Sequence, residues 1–172
     1  VLYSSMNLGE YAFSNCASLQ SVTIDSNGEK LSIPKYCFAN DSKLRSVSGL
    51  EYVSDVGSNA FEGCGLDKLQ FPVSVIIGSN AFRNCSVLSS VDFLSETEVG
   101  SGAFSDCPSL VSVSFDKRSK IGERAFANFS ALKLNFRDDD VSPLHGVWYI
   151  ESKAFEGCTS VTSLCLPASL QY

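Results

Sequence analysis

A chain of 172 residues that is 44% hydrophobic and 19% charged is long enough to bury a sizeable core and too apolar to be a disordered tail. Its net charge of −6, with sparse and scattered basic residues, excludes a phosphate-binding footprint, so nucleic acid is not an expected partner. No apolar run reaches the roughly 18 residues of a membrane-spanning helix, and the opening VLYSSMNLGE has neither a basic n-region nor an apolar h-region.

Reading from the N-terminus, one dipeptide keeps returning. Ala12-Phe13 recurs as Ala60-Phe61, Ala81-Phe82, Ala103-Phe104, Ala125-Phe126 and Ala154-Phe155, and Cys37-Phe38 fills the one gap. The steps between these phenylalanines are 25, 23, 21, 22, 22 and 29 residues, a period near 22 that lengthens at each end. Five residues before each Phe stands an aliphatic side chain: Leu8, Ile33, Val56, Ile77, Val99, Ile121, Ile150. The next position is Gly9, Gly57, Gly78, Gly100 or Gly122, with Pro34 and Glu151 as the exceptions. Three residues after the Phe comes Cys16, Cys64, Cys85, Cys107 or Cys158, replaced elsewhere by Asp41 and Phe129. Six after it comes Leu19, Leu44, Leu88, Leu110, Leu132 or Val161, while Leu66 falls one place early.

Each repeat then alternates apolar and polar residues, which predicts short strands near 21–24, 46–48, 68–71, 90–93, 112–115, 133–136 and 163–166. One such strand cannot bury its apolar face alone; stacked copies do so by pairing into a parallel ladder. The recurring glycines suit a tight turn that needs a positive φ. The Gly-x-x-Ala-Phe-x-x-Cys stretch has no long helical period and reads as a turn or a short 3₁₀ or α segment.

These residues carry a family likeness. The run I-G-S-N-A-F-R-N-C-S-V-L-S-S-V-D-F at 77–93 resembles the BspA-type leucine-rich repeat, with its core I-G-x-x-A-F-x-x-C-x-x-L-x-x-I. The segments F-P-V-S-V-I-I-G and L-P-A-S-L match that repeat's link from strand to next repeat. The resemblance covers nearly the whole chain and implies a leucine-rich repeat solenoid of α/β type: curved and right-handed, mostly short parallel strands and turns, about seven repeats. Cys37, Asp41, Phe129 and the long connection before Phe155 depart from the pattern and put local packing in question. The expectation is a single leucine-rich repeat domain over 1–172, itself a fragment of a longer chain. Proteins with such repeats are known mainly as surface or secreted proteins of anaerobic bacteria and parasitic protists, often implicated in adhesion; this is what the resemblance implies about role.

Candidate chemistry is sparse. Five of the seven cysteines share one repeat phase, and no C-x-x-C occurs, so zinc or thioredoxin-like chemistry has little support. Stacked repeats would hold Cys64, Cys85 and Cys107 about 5 Å apart. Their parallel Cβ vectors do not favour a disulfide, and a ladder of small buried thiols is expected. With one His and no G-x-S-x-G or H-E-x-x-H, no nucleophile-and-base set is visible, so neither an enzyme nor a cofactor is expected.

The longest connection, R-D-D-D-V-S-P-L-H-G-V-W-Y, holds the densest charge run, the only His and the only Trp. Two readings stand: a cation or ligand site on a projecting loop, or a solvated acidic loop whose Trp148 packs back onto the repeat edge. Its spacing lacks the D-x-D-x-D-G form of a calcium loop. With the adjoining strand residues, the candidate partner-binding site is Lys133, Asn135, Arg137, Asp138, Asp139, Asp140, His145 and Trp148. Asn40, Asn84 and Asn128 each begin an Asn-x-Ser sequon and share one repeat phase; they are either acceptors of glycans on a secreted protein or a by-product of the repeat. The outward strand residues, such as Ser21, Ser46, Ser90, Ser112 and Ser114, make a serine-rich sheet without an aromatic anchor. The expected function is a non-enzymatic protein-binding module of a cell-surface or secreted adhesion or host-interaction protein. Its partner is a protein or host-surface ligand, and the alternative is an intracellular protein–protein interaction scaffold.

Overall fold

Strands of three to five residues are stable only when something continues them on both sides. The computed structural model describes residues 1–115, 117–136 and 147–160, with backbone alone at 133–136. In it, every turn of chain lies against the next in parallel register. The predicted strand phase gives β2 (Ser21–Asp25), β4 (Ser46–Ser48), β6 (Lys68–Phe71), β8 (Ser90–Phe93), β10 (Ser112–Phe115) and β12 (Lys133–Phe136). A short β1 (Leu2–Tyr3) pairs with β2, and the strand expected at 163–166 lies outside the described residues. The only helical element among the described residues is a 3₁₀ turn, Leu50–Tyr52, so the α component reduces to turns.

A second ladder was not foreseen. The segment read as a mere link to the next repeat pairs as a six-stranded parallel sheet. Its strands are β3 (Leu31–Ile33), β5 (Val53–Val56), β7 (Val75–Ile77), β9 (Thr97–Val99), β11 (Ser119–Ile121) and β13 (Val147–Ile150). The aliphatic residue five before each Phe is the last residue of these strands up to β13. Ile33, Val56, Ile77, Val99, Ile121 and Ile150 are register partners in sequence. Thr97 and Ser119 also face inward here, and each hydroxyl donates to a nearby carbonyl, of Ser95 and of Lys117.

The core between the ladders is a column of aromatic rings. Phe13, Phe38, Phe61, Phe82, Phe104, Phe126 and Phe155 stack in order, with centroids 5.1 to 5.7 Å apart and planes within 10°. Phe71, Phe93 and Phe115 form a second column that meets the first edge to face at 6.0 to 6.2 Å. Both arrangements suit the ring quadrupole. Between the two sheets the turn itself is laddered: the N–H of Phe38, Phe61, Phe82 and Phe104 donates to the carbonyl of Ala60, Ala81, Ala103 and Ala125 in the next repeat, at 2.8 to 2.9 Å.

This ladder corrects the reading of the glycines. Gly57, Gly78, Gly100 and Gly122 do not have positive φ. Each donates its N–H to the repeat before it, as Gly100 does to Ile77 at 2.8 Å. A Cβ on Gly100 would lie 2.7 Å from that same carbonyl oxygen and 2.8 Å from Gly78 carbon. Glycine is there because another backbone occupies the space of a side chain. The left-handed residues stand instead two before and two after the Phe, among them Asn59, Asn80, Gly102 and Arg124 on one side and Asn40, Gly63, Asn84 and Asn128 on the other. Asparagine tolerates that region better than most residues.

One turn breaks the pattern. Register makes Gly49 the successor of Ile24, an inward position that Phe71 fills in the next repeat. Gly49 has φ 86°, and a Cβ there would sit 2.0 Å from Ile24 oxygen. The chain therefore swings inward, Leu50 takes the vacated core place, and β4 does not pair with β6. The expected continuous sheet is split into three strands and four.

Two outcomes follow for stability, both checked by chemical denaturation. Phe104→Ala is expected to cost about 3–5 kcal/mol, as truncation of a fully buried ring does. Gly100→Ala is expected to cost about 3 kcal/mol from overpacking against fixed backbone, while Gly9→Ala, whose Cβ would meet nothing within 4 Å, leaves stability unchanged or slightly raised.

Candidate partner-binding faces

The split first sheet offers small polar rows. In register stand Lys68, Ser90, Ser112 and Lys133, then Gln70, Asp92, Ser114 and Asn135. Ser114 was expected to face solvent but is buried, its hydroxyl donating to the Asp92 carboxylate at 2.5 Å. Where β4 and β6 part, a cleft of about 450 Å³ opens over Gly49, lined by Glu51, Lys68, Gln70 and Asp92 among others.

The second sheet carries the larger side chains. Asp55, Ile76, Glu98, Lys120 and Tyr149 form one row across β5, β7, β9, β11 and β13. Ile76 is 55% exposed, although it sits between Asp55 and Glu98 in that row. At both ends the register slips by one residue. Leu31 and Ser32 pair with Val53 and Asp55, and Ser119 and Lys120 pair with Val147 and Tyr149, so Ser54 and Trp148 are the extra residues of two bulges. Trp148 is half-buried beneath the Arg118 guanidinium, whose carbon lies 4.5 Å from the ring centroid. Lys120 sits 5.4 Å over the Tyr149 ring and 3.0 Å from Glu151. Hydrogen bonding to Glu151 holds the Lys120 ammonium above its usual range, and the same bond holds Glu151 below its own.

Of the residues singled out from sequence, Trp148 is thus placed on the second sheet, while Lys133 and Asn135 hold register positions on β12 of the first. Arg137, Asp138, Asp139, Asp140 and His145 lie outside the described residues. Asn40, Asn84 and Asn128 are exposed and left-handed, with φ of 65°, 59° and 68°. Conformation alone therefore gives their phase a reason. Arg118, Ile76, Glu96 and Glu98 escaped the sequence reading because the second sheet itself did.

The buried thiols Cys37, Cys64, Cys85 and Cys107 are packing groups. Cys64, Cys85, Cys107 and Cys158 each donate S–H to the carbonyl of the preceding repeat's phenylalanine, at 3.0 to 3.2 Å. Burial pushes Cys37 and Cys64 up to about 12, and the Cys107 thiol together with burial raises Cys85 well above its ordinary value. Cys37, Cys64 and Cys85 are therefore not poised as nucleophiles. Among the described residues no group of three or more His, Cys, Asp or Glu is placed to hold a metal ion, and no helix is long and apolar enough to cross a membrane.

Asp41 occupies the thiol position of the second repeat and is fully buried. Its Oδ1 accepts the Cys16 N–H at 2.6 Å, and its Oδ2 has no partner. Burial raises its pKa, so the folded chain keeps a proton that the unfolded chain loses. Stability then falls as pH climbs out of the ordinary carboxylate range and stays low above the folded pKa. Asp41→Asn is expected to stabilise by about 1–3 kcal/mol at pH 8, with the gain shrinking as denaturation is repeated at lower pH. A pH-independent gain would contradict the buried-charge account.

Stacked parallel turns, two strand ladders and a phenylalanine column define a leucine-rich repeat solenoid. The family model of the BspA type leucine rich repeat region matches in six copies, over residues 6–134 and 139–172, and the chain belongs to that family. Among solved structures it is similar to a leucine rich cell surface protein from Faecalibacterium prausnitzii A2-165. The identity is 22%, the TM-score 0.50, and the match covers 86% of this chain and 53% of that one. A leucine-rich repeat protein from Bacteroides ovatus ATCC 8483 aligns at 22% identity and TM-score 0.41, over 85% of this chain and 48% of that one. The chain thus spans about half the length of each, and at this identity the first likeness speaks for the fold alone. No curated protein sequence matches.

Proposed function

We propose that this chain is a non-enzymatic protein-binding module of a cell-surface or secreted protein, acting in adhesion or host interaction. The observation that carries the reading is the solenoid itself. Its backbone groups are consumed by neighbouring turns, and two ladders hold outward side chains in fixed rows about 4.8 Å apart. Such a surface suits recognition of another macromolecule better than chemistry on a small one. Membership of the BspA-type family supports it, and the cell-surface description of the Faecalibacterium protein agrees with the location.

The contact is centred on Trp148 with Lys133, Asn135 and Arg137, joined by Asp138, Asp139, Asp140 and His145. An aromatic anchor among mixed charges fits interface anatomy better than the serine rows. Glycans at Asn40, Asn84 and Asn128 would border a different part of the surface, the turns after each phenylalanine.

Beads coated with the purified chain should adhere to cultured epithelial cells, and Trp148→Ala and Arg137→Ala should each lower adherence about tenfold without shifting the melting curve. If Trp148→Ala instead lowers stability by several kcal/mol and Arg137→Ala leaves adherence unchanged, the patch is structural. Protection of the protein from protease added to intact source cells would favour the intracellular scaffold.

A further inference from the structure

The two bulges of the second sheet bound a feature that the repeat does not account for and that meets the proposed contact at Trp148 alone. Between Ser54 on β5 and Trp148 on β13 runs a trough of about 520 Å³. It crosses β7, β9 and β11, so its length is about 19 Å at the usual strand spacing. An extended segment of about six residues has the same length. The floor includes Ile76, the most exposed aliphatic side chain of this sheet. One strand away stand Glu96 and Glu98, both exposed. The far end is closed by the Arg118–Trp148 stack.

Two carboxylates, Glu96 and Glu98, line the trough with one cation, Arg118. Arg118 is engaged by the indole ring, and Lys120 by Glu151. Glu98 faces Lys120 across the ladder without forming an ion pair, and neither Glu96 nor Glu98 has a hydrogen-bond or ion-pair partner among the described residues. An aliphatic floor beside two carboxylates that form no ion pair among the described residues, on a protein of net charge −6, is complementary to one kind of guest.

Resting on the protein-binding reading above, we propose that the trough takes an extended segment of a partner protein in which a lysine or arginine stands beside an aliphatic residue. The cation lies over Glu96 and Glu98, the aliphatic side chain lies on Ile76, and the indole edge of Trp148 ends the site. The bulges matter because they lift Ser54 and Trp148 out of the ladder and leave the three strands between them as a floor.

The probe is a labelled hexapeptide of alternating leucine and lysine, followed by fluorescence anisotropy against the folded chain. Alternating leucine–glutamate and glycine–lysine hexapeptides serve as controls. Saturable one-to-one binding of the leucine–lysine peptide is expected, weakened about tenfold by Glu96→Gln with Glu98→Gln and by high salt. Ile76→Ser should weaken it about fivefold, and Gln70→Ala on the first sheet should leave it unchanged. Equal binding of the glycine–lysine peptide, binding of the leucine–glutamate peptide, or indifference to both trough variants overturns the proposal. Bead adherence run with the same variants separates the two readings. If native beads adhere and trough variants adhere as well, the trough assignment falls and the binding module stands. If native beads adhere to nothing while the peptide still binds at Glu96 and Glu98, the trough stands and the adhesion role falls.

Discussion

Among the described residues the phenylalanine rings, most of the buried thiols and the strand backbones find their partners one turn away. The backbone repeats at the parallel-strand spacing of about 4.8 Å, and the side chains must repeat with it. A phenylalanine ring needs another ring above it, and a thiol proton needs the carbonyl of the turn before. At Gly100 the need is for no side chain at all, since the preceding turn's backbone fills the place of a Cβ. Long-range pairing thus substitutes for the local hydrogen bonds a helix would supply. The same constraint explains why Asp41 is an awkward guest. It fits the volume of the thiol position and supplies one acceptor, but one oxygen finds nothing to bind.

Much of this was legible because a repeated residue reports a repeated environment. The phenylalanine column, the thiol phase and the first set of strands each follow from residues in step at a period near 22. The second sheet was not legible, and particular residues show why. Its strands are three or four residues long, too short for alternation to stand out, and Thr97 and Ser119 put hydroxyls where an inward apolar residue would be looked for. The glycine reading failed for a different reason. Glycine answers both to a left-handed backbone and to a missing volume, and sequence does not separate the two. The asparagines at 59, 80, 84 and 128 were the better markers of left-handed turns. Nor could Gly49 have been recognised as the cause of a break, because its effect depends on Ile24 oxygen lying where its side chain would be.

The two faces divide the chemistry between them. On the first sheet, Ser114 and Asp92 satisfy one another. On the second, Ile76, Lys120, Tyr149, Arg118 and Trp148 are large, and Glu96 and Glu98 beside them form no ion pair among the described residues. The sequence reading placed the candidate contact on the longest connection and on the neighbouring residues Lys133, Asn135 and Arg137. Trp148 was still picked out, because it is the only tryptophan and lies where the period stretches. Its neighbours on the face were invisible, since Arg118 reaches it from a different repeat.

The gap between β4 and β6 has a mechanical meaning. From β5 and β6 to the end of the described axis, a turn is joined to the next by strand pairing in both sheets and by the phenylalanine-turn ladder between. At this junction pairing in the first sheet is missing. The second sheet, the Phe38–Phe61 stack and the turn ladder of Tyr36, Phe38 and Asn40 carry the continuity, and on the side of the first sheet only Arg45 bridges by hydrogen bonds, to Gly65 and Asp67. A rod pulled at its ends yields at its thinnest section. Under load, or in thermal opening, the two turns before Gly49 peel from the five behind it as a unit, and amides beside this seam exchange with solvent ahead of those in the stack that begins at Phe61.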